Sequence, residues 1–127
     1  MRRQELTELN RFCDIDSRFR SSFEDMLREW DEADIPLTML AGSFGQVLTR
    51  SWRSFDDPER LSVFRLAEEL MELKDSAIKE IVASGFLEAV MNDVASGIVP
   101  AEEVNKYLGA ASKEYCEAYG RFFSKDV

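Results

Sequence analysis

Six acids lie within the eleven residues from Glu24 to Asp34, and Arg28 is the one base among them. Carboxylates at that density could work as an acid–base pair, help hold a metal, or present a negative face to a basic partner. The first two uses have little else to draw on. The chain has no histidine, so the commonest general base and transition-metal ligand is missing and a Glu-x-x-His di-metal set cannot be built. Cys13 and Cys116 are far apart in sequence, belong to no Cys-x-x-Cys pair, and read as buried reduced thiols. No phosphate-binding loop, dinucleotide fingerprint, nucleophile elbow or calcium loop is present, and Gly42-Ser43-Phe44-Gly45 is too short for a phosphate cradle. These absences assign no catalytic residue, no metal ligand and no cofactor. A hydrolase working with two carboxylates alone stays open as a third reading, and it requires a concave pocket with paired acids.

The acids can be placed on an element. Phe19, Phe23, Met26, Leu27 and Trp30 recur at helical spacing, which predicts an amphipathic helix capped by Asp16 or Ser17 and running to about Asp34, ahead of Pro36. On such a helix Asp25, Glu29 and Glu32 share the face opposite the apolar stripe. Asp31 and Asp34 would then sit at its C-terminal end, where the macrodipole disfavours acids, so selection for a partner competes with a plain solvated face. The candidate contacts are therefore Asp25, Glu29, Asp31, Glu32 and Asp34. Trp30 belongs to the stripe and is expected in the core. Trp52, between Arg50 and Arg53, is expected to be exposed and is added as an aromatic contact. Asp56, Asp57 and Glu59 are better explained by helix capping.

The remaining stripes complete an all-α architecture, a bundle of six to seven helices in one domain spanning residues 1–127. Leu6, Leu9 and Phe12 mark a short first helix. Pro36 opens a third segment through Leu37, Leu40, Phe44, Val47 and Leu48, in which Gly42 and Gly45 either admit a neighbouring helix or bend the chain. Asp56-Asp57-Pro58-Glu59 starts another, with Leu61, Phe64, Ala67, Leu70 and Met71 inward, and Asp75 or Ser76 caps the next. That next helix carries Ile78, Ile81, Val82, Gly85, Phe86, Ala89 and Val90 on one face, the most regular stripe of all, and Gly97 is its C-terminal cap. Pro100 opens a short helix ended by Gly109, and Tyr115, Tyr119, Phe122 and Phe123 mark the last.

Bulk charge narrows the partner. Twenty-five acids against sixteen bases give a net charge of −9 and a pI near 4.6. That field repels nucleic acid and anionic membranes and attracts a basic protein. The N-terminus lacks the apolar run of a secretory signal and no stretch is long enough to span a bilayer, so a soluble cytoplasmic protein is expected.

From Phe64 onward the chain resembles a family of small bacterial all-helical proteins. The resemblance lies in Phe64–Met71, in Ile78–Val90 with its Phe86-Leu87-Glu88 run, and in Tyr107-Leu108-Gly109 with Ser112 and Tyr115 following; Pro36–Phe44 is similar more loosely. Such proteins are often encoded beside polymorphic or contact-dependent toxins and are taken to be immunity proteins. The resemblance thus implies a cytoplasmic antidote that binds a basic toxin domain, a nuclease being the natural case, and it brings no catalytic residue. An adaptor or regulatory module, homodimeric or not, is the second reading.

Overall fold

A computed structural model describes residues 2–74 and 76–124 of the chain. Among them there are seven helices and no strand, as the stripes predict. We number them α1 (Arg2–Asn10), α2 (Ser17–Leu27), α3 (Leu37–Arg50), α4 (Asp57–Met71), α5 (residues 76–95), α6 (Ala101–Asn105) and α7 (Ala110–Ser124). A 3₁₀ turn at Arg11–Asp14 joins α1 to α2, and others occupy Glu32–Asp34 and Trp52–Ser54. Val82–Leu87, in the middle of α5, is wound as a π-helix, which no periodicity argument anticipates.

The predicted caps do their local work. Asp16 accepts the Arg18 amide at 2.8 Å to start α2. Arg18 also turns its guanidinium onto that carboxylate, at 2.9 Å and 3.0 Å, and this bond brings the Asp16 pKa down to about 2 against the opposing effect of burial. A carboxylate lowered in the folded state contributes stability above its unfolded pKa and loses it as pH falls through the folded one. Stability should therefore decline from about pH 4 toward pH 2. Asp16→Asn keeps a capping side chain, so it should lie below wild type at neutral pH and converge with it near pH 2 in an acid series of thermal midpoints.

At α4 a full capping box forms, Asp56 accepting the Glu59 amide while the Glu59 side chain accepts the Asp56 amide, both at 2.8 Å. Pro58 falls second in that helix, behind Asp57, rather than first. Gly97, at φ +80°, follows α5: its N–H donates to the Val94 carbonyl and Ile98 N–H to that of Asp93. This pair of bonds closes the helix end and needs a left-handed residue. The expected role of Asp75, and those of the Phe122 and Phe123 side chains, lie outside the described residues.

One core runs through the molecule, and α3 and α5 are its centre. Gly42 and Gly45 do not break α3, which runs without interruption from Leu37 to Arg50. A Cβ at Gly45 would sit 2.7 Å from the Phe86 carbonyl oxygen, and one at Gly85 2.5 Å from that of Thr38 and 2.7 Å from Ala41 Cβ. The two helices cross backbone to backbone, which the missing side chains allow. Around the crossing, Phe12 meets three rings, Phe19 at 6.0 Å, Phe44 at 5.5 Å and Phe86 at 5.3 Å between centroids. Phe64 continues the cluster to Phe86 and to Trp52.

Three expectations are corrected. The first is the end of α2, which stops at Leu27 and not near Asp34. Arg28 and Glu29 donate to carbonyls only three residues back, tightening the last turn, and the chain then folds over to bury Ile35 completely. Truncating the helix also removes Trp30 from the stripe, leaving it 37% exposed instead of in the core. The third concerns α6, which ends at Asn105; Gly109 instead begins α7, its carbonyl accepting the Lys113 amide at 2.8 Å.

Candidate protein-binding surface

The acids lie on a corner that runs from the end of α2 into the turn after it, not along one helix as predicted. Glu24 and Asp25 lie on α2, Glu29 just beyond it, and Asp31, Glu32 and Asp34 on the following turn; all six are exposed. Asp25, Glu29 and Glu32 therefore do not form one helix face. Nor do Asp31 and Asp34 oppose the α2 dipole: Asp31 precedes a separate 3₁₀ turn, whose closing bond runs from Asp34 N–H to the Asp31 carbonyl at 2.8 Å. Acids at the start of such a turn are locally favoured, so no penalty points to selection there.

What makes the corner usable is that it is held. Arg2, at the start of α1, donates from one guanidinium nitrogen to the carbonyls of Glu32 and Ile35. Ile35 is buried beneath, and Arg28 pairs with Asp25 at 3.4 Å with both side chains largely in solvent. Such an exposed pair contributes little to stability. Leu27 and Trp30 expose 37% each among the acids, an apolar element of the kind that anchors interfaces.

Trp52 is the other tryptophan, and here too the expectation is reversed: it is 4% exposed. The 3₁₀ turn after α3 swings its indole inward, where Nε1 donates to Glu103 at 2.8 Å and the Arg60 guanidinium lies 4.7 Å from the ring centroid. Arg60 also donates to the Trp52 carbonyl, and Phe64 and Tyr107 close over the ring at 6.2 Å and 5.7 Å. Flanking arginines suggested solvent; the turn puts them there without the tryptophan. Trp52 is thus removed from the candidate contacts, while Asp25, Glu29, Asp31, Glu32 and Asp34 remain on the surface.

The other carboxylates of interest are engaged by the fold. An open cleft of about 590 Å³ is lined by Asp57 and Glu103 together with Arg60, Lys106 and Tyr107. Both of its acids already accept hydrogen bonds, Glu103 from Trp52 and Asp57 from the Tyr107 hydroxyl. Asp93, which sequence reasoning passed over, is 5% exposed on α5 and accepts the Thr49 hydroxyl from α3, with Arg50 Nε 3.5 Å away. Glu68 of α4 caps α7 from outside, accepting the amides of Ala111 at 2.8 Å and Ser112 at 2.9 Å. Partial burial works to raise the Glu68 pKa, but those two bonds outweigh it and leave it low. Among the described residues no group of three or more acids and cysteines is placed to hold a metal.

Cys13 and Cys116 are both buried and unpaired. Burial raises both thiols, Cys116 to about 12, so the reactive thiolate is scarce in the folded state. A thiol-specific reagent at pH 8 should therefore label neither cysteine at the rate of a free thiol and label both once denaturant is added. Rapid labelling of the native protein would contradict this burial.

Residues 9–124 match the family model of a domain of unknown function, DUF7674. The chain belongs to the DUF7674 family. The matched stretch contains the acidic corner, the α3–α5 crossing and the Trp52 turn, whereas Arg2, which ties the corner down, precedes it. Comparison with curated proteins and with solved structures returned no match. Membership of the DUF7674 family assigns no activity, so the functional reading rests on the geometry. No helix among the described residues is long and apolar enough to cross a membrane.

Proposed function

We propose that this chain is a non-catalytic binding module that docks a basic protein through the corner at residues 24–34. In the more specific form, it is a cytoplasmic immunity protein that covers the basic cleft of a cognate toxin domain, for which a nuclease is the best chemical fit. A nuclease needs clustered cations to hold phosphate, and an acidic surface can occupy them in the substrate's place. The observation that carries the reading is six exposed acids around a half-exposed tryptophan, on a segment pinned by Arg2 and Ile35. A pinned surface loses less entropy on docking than a mobile loop would.

The test is co-expression with a candidate basic toxin domain, followed by affinity measurement. Replacing Glu29, Asp31, Glu32 and Asp34 together with lysine should weaken binding roughly 5- to 1,000-fold, because four exposed pairs at a few tenths to about 1 kcal/mol each sum to roughly 1–4 kcal/mol. The far-ultraviolet circular dichroism should stay unchanged, since none of the four is buried. A wild-type chain that neither binds nor protects would sink the proposal. One observation favours the second reading, an adaptor that self-associates: Leu27, Trp30 and, on α3, Met39 all expose apolar surface. Apolar docking survives 1 M salt, where screening acts within about 3 Å, and electrostatic docking does not.

A further inference from the structure

At the opposite end of α3 from the acidic corner, about 20 Å away by helical rise, the charge changes sign. A cleft of about 250 Å³ opens between the 3₁₀ turn after α3 and the loop after α5. Its walls include Arg50, Ser51, Arg53 and Ser54 on one side and Ile98 and Pro100 on the other, and no acid lines it. That is unusual company in a chain with 25 acids. Three other clefts mix the signs, one setting Arg60 and Lys106 against Asp57 and Glu103, another Arg11 and Arg65 against Asp14 and Glu69, the third Lys74 against Glu5 and Glu8.

Most of the donors here are uncommitted. Arg53 makes no ion pair or hydrogen bond among the described residues, and the hydroxyls of Ser51 and Ser54 have no partner there. Arg50 is held by a single contact: its Nε faces the buried Asp93 carboxylate at 3.5 Å, and its side chain is otherwise 57% exposed. Asp93 itself accepts the Thr49 hydroxyl, so it orients Arg50 without lining the cleft. The terminal guanidinium nitrogens of Arg50 are left free. Ile98, 45% exposed, supplies an apolar wall that the fold does not cover.

From this geometry we infer that the cleft is a binding site for a small phosphate monoester with an apolar body. Arg53 and Arg50, the latter partly offset by Asp93, present guanidinium groups to the −1.5 to −2 charge of a phosphate monoester at pH 7, and arginine recognises its oxygens through paired N–H donors. Two hydroxyls add donors for the remaining oxygens. Ile98 and Pro100 face the organic part. The volume admits a small molecule rather than a folded partner. This site stands apart from the acidic corner, so the two can succeed or fail independently.

The experiment titrates the intact chain with inorganic phosphate and with phenyl phosphate, following backbone amide shifts by NMR at constant ionic strength set with sodium chloride. The expected result is saturable movement confined to residues 49–54, 98 and 99, with phenyl phosphate binding more tightly than inorganic phosphate. Arg53→Gln, which disturbs no contact in the fold, should weaken both ligands at least about ten-fold, as loss of a charge-assisted hydrogen bond predicts. Arg3→Gln, remote from the cleft, should leave both unchanged. Shifts that fail to saturate, that spread over the surface, or that persist undiminished in Arg53→Gln overturn the inference; so does an equal loss in Arg3→Gln. Inorganic phosphate binding as tightly as phenyl phosphate overturns its apolar part.

Discussion

Gly85→Ala should cost about 3 kcal/mol in urea denaturation, although it adds a single methyl group to a helix that alanine ordinarily favours. Intrinsic propensity alone would make the change stabilising by roughly 0.5–1 kcal/mol. Geometry opposes it more strongly, because the new Cβ would lie 2.5 Å from the Thr38 carbonyl oxygen, 2.7 Å from Ala41 Cβ and 3.1 Å from the Gly42 amide. Two of these are backbone atoms of α3, so relief requires moving one helix off the other, and overpacking of that kind costs typically 1–3 kcal/mol, occasionally more. Gly42→Ala is the internal control. Its Cβ would find only ordinary contact, 3.6 Å from the Gly85 oxygen, so the propensity gain should remain and the midpoint should rise slightly. Equal midpoints for the two variants would mean that α3 and α5 do not cross where Gly85 meets Gly42. The π-wound stretch Val82–Leu87 is the part of α5 that α3 lies against.

The second large effect is expected at Phe12. Phe12→Ala should lose roughly 3–5 kcal/mol, the usual range for emptying a fully buried aromatic site. Against a total of 5–15 kcal/mol for a domain, that brings the protein close to unfolding at ambient temperature. The reason is position. Phe12 sits on the 3₁₀ turn between α1 and α2, and its ring touches one ring from each of α2, α3 and α5. Phe12→Leu refills most of the volume and should cost less than half as much. Thermal melts of the two variants check both figures, and a small loss for Phe12→Ala would mean the cluster is not the centre of the core.

Much of the fold was legible because it is written in short-range pairs. The Asp56–Glu59 box, the Asp16 cap and the αL glycine at Gly97 each satisfy helix-end groups within a few residues of themselves. The stripes of α3, α4 and α5 were equally readable, since burial on a helix repeats with its turn. The candidate corner was legible by composition alone, and its acids are on the surface as expected. Its support was not. Arg2 and the carbonyls it holds are 30 and 33 residues apart, and no local signal links them.

The two tryptophans show where sequence reasoning stops. Trp30 fits the apolar period of α2, and Trp52 lies between arginines, yet the first is exposed and the second buried. A period predicts burial only while the helix lasts, and α2 ends three residues before Trp30 because Ile35 must reach the core. Trp52 turns inward because Glu103, Arg60 and Tyr107 meet it from α4 and from α6 and the residues after it. By itself, then, the sequence determined that the protein is all-helical, where most helices begin, and that its charge gathers between residues 24 and 34. Tertiary structure alone decided how α3 and α5 cross, where α2 stops and which tryptophan meets solvent. The physical reason is range: caps and stripes act within one or two turns, whereas these outcomes depend on groups brought together from distant parts of the chain.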